Sequence, residues 1–216
     1  IALSKAGITI GEVDWARSQE NIVWVIRFPR VLLSAVVGAG LAVIGATMQA
    51  ITRNPLADPF LLGISSGASV GAVLVILMGA FTSFGLYALS TGAFLGAMTA
   101  FTLVYLLAQQ RGRISPLRMV LAGVAISYLF SAMTSFITLR AGDAEATRRV
   151  LFWLLGGFAG TRWEQLALPT LLLLIGMGYL LLHARSLNAL SVGEETAITL
   201  GFEVHRLRRR LLIVTS

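Results

Sequence analysis

Few side chains in this chain are equipped for covalent or metal chemistry. The 216 residues include no cysteine and two histidines, His183 and His205, neither with a partner at metal-ligand spacing. No HExxH zinc motif, phosphate-binding loop or GxSxG nucleophile turn occurs, so hydrolysis and nucleotide binding lack the residues they need. What remains are three polar motifs suited to docking rather than catalysis: Arg27-Phe-Pro-Arg30, Arg53-Asn-Pro-Leu-Ala-Asp-Pro59, and Ser186–Gly201 with its adjacent acids Glu194 and Glu195.

These motifs sit between long uncharged stretches. From Pro59 to Gln110 the chain runs for 52 residues without Asp, Glu, Lys or Arg. A bilayer core about 30 Å thick is crossed by roughly 20 apolar residues. The run is therefore too long for one span and fits two, folded back near Thr82–Gly92. Hydrophobic residues make up 56% of the chain and charged residues 12%, against about 25% charged in an ordinary soluble domain; mean hydropathy is +0.83. The expected class is all-α: a polytopic transmembrane helical bundle with the lipid bilayer as a partner. The net charge of +7 does not indicate nucleic acid, because the basic residues lie between apolar spans and not on one face.

Five spans are expected, at about Val31–Thr52, Leu61–Ala80, Ser90–Gln110, Leu117–Leu139 and Leu166–His183. Val150–Thr161 is apolar but too short to cross, and reads as interfacial or half-buried. Lys5, Arg17, Arg27, Arg30, Arg140, Arg148, Arg149 and Arg162 fall on one side. Arg53, Arg111, Arg113, Arg118, Arg185, Arg206, Arg208, Arg209 and Arg210 fall on the other. The numbers nearly tie, and the tight clustering of the second set at span ends favours that side as cytoplasmic. Inside the five expected spans, away from their ends, no Asp, Glu, Lys or Arg occurs, which argues against a cation-coupled secondary transporter. An intramembrane enzyme would need paired acids or a Ser/His couple at depth. Ser34, Ser65, Ser66 and Ser127 read instead as packing or backbone-bonding hydroxyls.

Small residues mark the expected helix contacts. Gly63, Gly67 and Gly71 recur at four-residue spacing, and Gly92 and Gly96 repeat it. Such rows let helix backbones approach closely where lipid gives no hydrophobic drive to associate. Pro29 suits a helix start, since it has no N–H to orphan, and Arg27 and Arg30 beside it either snorkel or dock an acidic partner. Asp58 is a natural N-cap before Pro59. Ser191 or Gly193 can open a short amphipathic helix with Glu194 and Glu195 in its first turn, where the helix dipole favours acids; Gly201 would stop it.

Taken together, these motifs resemble the FecCD-type permeases, the membrane subunits of type II ABC importers for ferric siderophores, haem and vitamin B12. The likeness runs through Arg27-Phe-Pro-Arg30, Gly38–Gln49, Arg53–Pro59, Leu62-Gly-Ile-Ser-Ser-Gly67, Leu121-Ala-Gly123, Phe152-Trp-Leu-Leu-Gly-Gly157 and Leu187–Gly201. Family members have about ten spans. This chain, opening at Ile1 without an initiator Met and ending in apolar Leu211–Ser216, resembles spans two to six and the start of a seventh. On that basis residues 1–216 form one partial permease domain. Residues 1–30 would be extracytoplasmic, 31–184 would hold the spans, 185–207 the coupling-helix region, and 208–216 the next span.

The resemblance implies a non-catalytic subunit of the bacterial cytoplasmic (inner) membrane, working as a homodimer with a pathway between two copies. It binds no cofactor, and ATP is used by separate ATPase subunits. Arg27 and Arg30 would dock an extracytoplasmic substrate-binding protein. Asn54 and Leu56, with Ser115, Pro116 and Leu117, would close the cytoplasmic end. Ser191, Gly193, Glu194, Glu195, Leu200 and Gly201 would form the coupling helix seated in the ATPase. A ferric siderophore is the substrate expected first, then haem, then vitamin B12.

Overall fold

The computed structural model describes residues 15–110 and 113–216. Lys5 and Arg111, both counted in the charge balance, and residues 1–14 of the expected 1–30 segment lie outside the described residues. Helix α1 runs Arg17–Thr52. It is followed by α2 (Ile64–Met78), α3 (Ala88–Ala108), α4 (Pro116–Arg140), α5 (Ala144–Leu155), α6 (Ala167–Leu182), α7 (Ala184–Val192), α8 (Glu194–Thr199) and α9 (Val204–Thr215). A two-residue antiparallel pairing, β1 (Gln109–Gln110) with β2 (Arg113–Ile114), sets Gln109 opposite Ile114 between α3 and α4.

Among the described residues four helices are long and apolar enough to cross a membrane: Arg17–Thr52, Thr82–Ala108, Pro116–Arg140 and Trp163–Leu182. The region expected to hold the second span, Leu61–Ala80, contains the shorter α2. Its 15 residues reach about 22 Å at 1.5 Å per residue. Two left-handed glycines set its ends, Gly63 at φ 68° and Gly79 at φ 65°, a conformation that costs glycine nothing. Before Gly63, the Asp58 carboxylate accepts from the Phe60 N–H at 2.6 Å and caps a 3-10 turn over Pro59–Leu62. Of the apolar stretch Val150–Thr161, the part up to Leu155 forms the end of α5, which Asp143 caps and Gly156 ends. Val150 is fully buried there, while Leu151, Phe152 and Leu155 are exposed.

Helix α1 departs from its expected start. It begins at Arg17, and Pro29 lies inside it rather than at its first turn. A proline in a helix removes one N–H and crowds the carbonyl four residues back. The chain answers with a π-helical segment over Ile22–Arg27, in which the Phe28 N–H bonds to the Val23 carbonyl five residues back. The wider turn lets the helix continue past Pro29, which is buried.

The chain divides into two compact units: the described residues up to Val43 with Gly157–Leu182, and Ile44–Gly156 with His183–Ser216. In the second unit α2, α3 and α4 pack on one another. The α2–α3 crossing is backbone on backbone. A Cβ built on Gly67 would collide with the Gly96 carbonyl, one on Gly71 with the Gly92 carbonyl, and one on Gly96 with the Gly67 carbonyl. Hydroxyls in these apolar helices turn back onto their own backbone, as Ser66 does to the Gly63 carbonyl at 2.8 Å and Thr102 to that of Met98 at 2.7 Å. In the first unit α6 leaves Leu171, Leu172, Leu174 and Ile175 exposed, an apolar surface that a bilayer would solvate.

The glycine crossing makes a sharp prediction. Gly71→Ala should destabilise the helix pair by about 1–3 kcal/mol, because a backbone carbonyl cannot step aside as a side chain can. Gly38→Ala, where nothing lies within 4 Å of the added carbon, should be nearly neutral. Thermal unfolding of the two variants in detergent would compare them.

Candidate functional site

Three segments of the second unit converge through a shared apolar cluster. Leu62 of the 3-10 turn, Ile114 of β2, Met119 of α4 and Leu212 of α9 line the same small enclosed space beside Val104 and Ala108 of α3. This gathers the 53–63 loop, the opening of α4 and the region after α8 at one end of the unit. In the loop, Arg53 takes a left-handed conformation, φ 53°, and ends α1. The Asn54 side-chain oxygen accepts from the Leu56 N–H at 3.0 Å, and the Asn54 carbonyl accepts from the Ala57 N–H at 3.0 Å. That Asx turn buries Ala57 and pushes Leu56 out to 87% exposure.

The opening of α4 is built differently. Ser115 is extended and gives no side-chain cap, Pro116 takes the first helical position, and the Ser115 carbonyl accepts from the Met119 N–H at 3.0 Å. Ile114 is buried and Leu117 exposed. The region expected to hold one short helix holds two, α7 and α8, joined at Gly193. Ser191 bonds back to the Asn188 carbonyl, and Gly193 accepts from the Ala197 N–H at 3.0 Å. Glu194 and Glu195 occupy the first turn of α8, and Gly201, at φ 84°, ends it. Ala189, Leu190 and Ala197 face inward, while Val192, Ile198 and Leu200 are exposed.

One side chain links these pieces. Arg208 of α9 is 1% exposed. Its Nη1 donates to the Ile114 carbonyl at 3.1 Å and its Nη2 to the Glu194 carboxylate at 3.2 Å. Its Nε is buried without an acceptor.

In the first unit Arg27 is exposed, whereas Arg30 is half-buried and donates through Nη2 to the Ala159 carbonyl. Trp24 and Phe28 stack at 5.3 Å, and the Trp163 ring lies tilted against both, with ring centroids 5.0 and 5.7 Å away. Its Nε1–H donates to the Trp24 carbonyl at 2.9 Å. That carbonyl lies in the π segment, five residues before Pro29, whose missing N–H would otherwise be its π-type donor. Trp163 thus supplies the hydrogen bond that the proline cannot. Among the described residues no group of three His, Asp or Glu is placed to hold a metal ion.

A sequence model of the FecCD transport family matches residues 3–216. The chain belongs to the FecCD transport family. It is 41% identical over 195 residues to the cobalamin import system permease BtuC of Halobacterium salinarum, covering 90% of this chain and 52% of that protein. It is 38% identical to the hemin transport system permease HmuU of Yersinia pestis, with 94% and 62% covered. To the molybdate import system permease MolB of Haemophilus influenzae it is 35% identical, with 96% and 63% covered. A solved structure described as an inward-facing conformation of a metal-chelate type ABC transporter superposes with a TM-score of 0.83 at 33% identity, over 96% of this chain and 65% of that one. The chain spans about half to two thirds of the length of these relatives. This FecCD chain is a multi-pass membrane protein.

Of the expected site residues in this FecCD chain, the structure brings Glu194 to Arg208 and sets Ile114, which precedes Ser115–Leu117, on the same guanidinium. It leaves Leu56, Leu117 and Leu200 exposed at their own segments. Sequence reasoning counted Arg208 only as one of a basic run, Arg206–Arg210. The signal was periodicity: Val204, Leu207, Arg208, Leu211, Leu212 and Thr215 form the buried face of α9. Trp163 gave no such signal, because its partner is a carbonyl freed by a proline 134 positions earlier. Trp163→Phe, which keeps an aromatic ring against Trp24 and Phe28 and removes the N–H, should cost about 1 kcal/mol of stability, read as a lower unfolding temperature with unchanged helix content.

Proposed function

We propose that this chain is the membrane-spanning permease part of an ABC importer in a cytoplasmic membrane, and that it catalyses no reaction itself. The observation that carries the reading is the α7–Gly193–α8 pair. Outside the apolar spans it presents Val192 at 75%, Ile198 at 57% and Leu200 at 63% exposure, beside the acids Glu194 and Glu195. Exposed apolar residues rimmed by charge mark a protein contact. The partner proposed is a separate ATPase subunit, whose ATP-driven closure would displace α8 and rock the spans between outward and inward access. Exposed Leu56 and Leu117 suit a gate that closes against a second copy of the chain, with Asn54 fixing the turn that carries Leu56. Residues 31–52, 82–108, 119–139 and 165–182 of the described spans carry no Asp, Glu, Lys or Arg, which disfavours a secondary transporter.

The cargo proposed first is a ferric siderophore. The named relatives are cobalamin, hemin and molybdate permeases, so the deciding assay runs these cargoes side by side. The full-length permease, its ATPase and its binding protein would be placed in proteoliposomes, and ATP-dependent uptake of a ferric siderophore, haem, cobalamin and molybdate measured. Siderophore uptake that vanishes without the ATPase supports the proposal. Uptake of another cargo replaces the substrate, and uptake of none, with no ATPase association, removes the importer reading.

Two substitutions test the contacts. Arg27→Glu should weaken the binding protein's association, mainly through a slower on-rate with reduced salt dependence. Exchanging an acidic partner residue for a basic one should restore it. Arg27 is the cleaner choice, because Arg30 also holds the Ala159 carbonyl. Leu200→Glu should leave a folded membrane protein that no longer retains the ATPase in co-purification; unchanged retention would remove α8 from the contact.

A further inference from the structure

Arg208 is placed where no ordinary stability argument calls for a charge. It is enclosed on the apolar face of α9, with one partly solvated ion partner, one carbonyl and an unbonded Nε; the Glu194 side chain remains 30% exposed. Removing a guanidinium from water is costly, and a single incomplete pair returns little of that cost. What the arrangement does provide is geometry. The two bonds leave from different terminal nitrogens, one toward the first residue of α8 and the other toward the residue just before Ser115-Pro116-Leu117. A planar guanidinium holds two acceptors at a fixed separation, whereas a lysine ammonium is a point donor on a flexible stem. Ile114 is also held by its pairing with Gln109 and by burial in the apolar cluster, and of the described contacts of that residue the guanidinium is the one that reaches α8. The neighbouring Glu203–Arg206 pair, 2.7 Å apart, is exposed and shares neither partner.

We propose that Arg208 is a positioning residue that ties α8 to the opening of α4, so that displacement of α8 carries Ser115–Leu117 with it. This rests on the reading of α8 as the ATPase contact and of Ser115–Leu117 as a gate. It adds the mechanical connection between them: ATPase closure shifts Glu194, the guanidinium fork moves as a unit, and the Ile114 carbonyl follows. A two-bond tie of this kind gives a contiguous physical link between sites, and its worth is a coupling, measurable by cutting it.

The test uses the full-length permease assembled with its ATPase, on a background without cysteines, carrying spin labels at Arg118 and Thr199. Both positions are exposed, on α4 and α8. Pulsed electron resonance would read the distance between labels without nucleotide and with ATP and vanadate. With Arg208 present, one narrow distribution should persist in both states, because the two elements move together. Arg208→Lys should broaden it or split it between states, and Glu194→Gln, which keeps a neutral acceptor, should do so to a smaller degree. A distribution in both variants that superimposes on the parent overturns the proposal.

In proteoliposomes, Arg208→Lys should lower cargo uptake per ATP hydrolysed by roughly tenfold, within the usual range of coupling between sites. Equal falls in uptake and hydrolysis would mark Arg208 as merely structural and overturn the proposal. If Arg208→Lys fails to assemble, Glu194→Gln carries both readouts. Should the parent take up no cargo, the importer reading fails while the distance measurement still decides the tie.

Discussion

The structure of the second unit depends on two helices touching backbone to backbone. In lipid there is no hydrophobic gain from pairing apolar helices, so association must come from packing and polar contact. At the α2–α3 crossing, carbonyl oxygens of Gly67, Gly92 and Gly96 occupy the places where partner side chains would stand. That approach brings the short α2 against α3, and α4 completes the packing. With these three helices in place, the 3-10 turn over Pro59–Leu62 and the β1–β2 turn are delivered to the same apolar cluster. The polar loops inherit their positions from glycines that carry no functional group.

At that end of the unit, polar satisfaction is local where the chain turns and long-range where elements must be held together. Asn54 and Asp58 bond to N–H groups two residues on, and the turns they make push Leu56 outward. Arg208 instead bonds to residues 94 and 14 positions away. A local bond shapes a loop; a distant one fixes the relation between loops. This division fits a region in which a docking helix and a gate must be separate surfaces and yet move in step.

The first unit solves a different problem. Pro29 lies within α1, and the π segment before it widens the turn to accommodate it. The freed Trp24 carbonyl is satisfied by Trp163, whose ring also lies tilted against Trp24 and Phe28. Arg30, one residue past the proline, holds the Ala159 carbonyl. A single backbone defect therefore anchors the segment leading into α6, and exposed Arg27 sits beside that anchor.

The sequence by itself determined what depends on composition, spacing and single residues. The uncharged run Pro59–Gln110 required membrane helices. Asp58 before Pro59 set a cap, and Gly201 set a helix end, because these are near-neighbour effects of φ angle and of unsatisfied N–H groups. The motif string from Arg27 to Gly201 placed the chain in its family. Only the tertiary structure decided that α1 continues through Pro29, since the compensating donor, Trp163, is distant in sequence. It alone decided that Arg208 points inward while Arg209 and Arg210 face out. The physical reason is common to both. A buried polar group is acceptable only where partners from other segments meet it, and such meetings are set by packing rather than by local pattern.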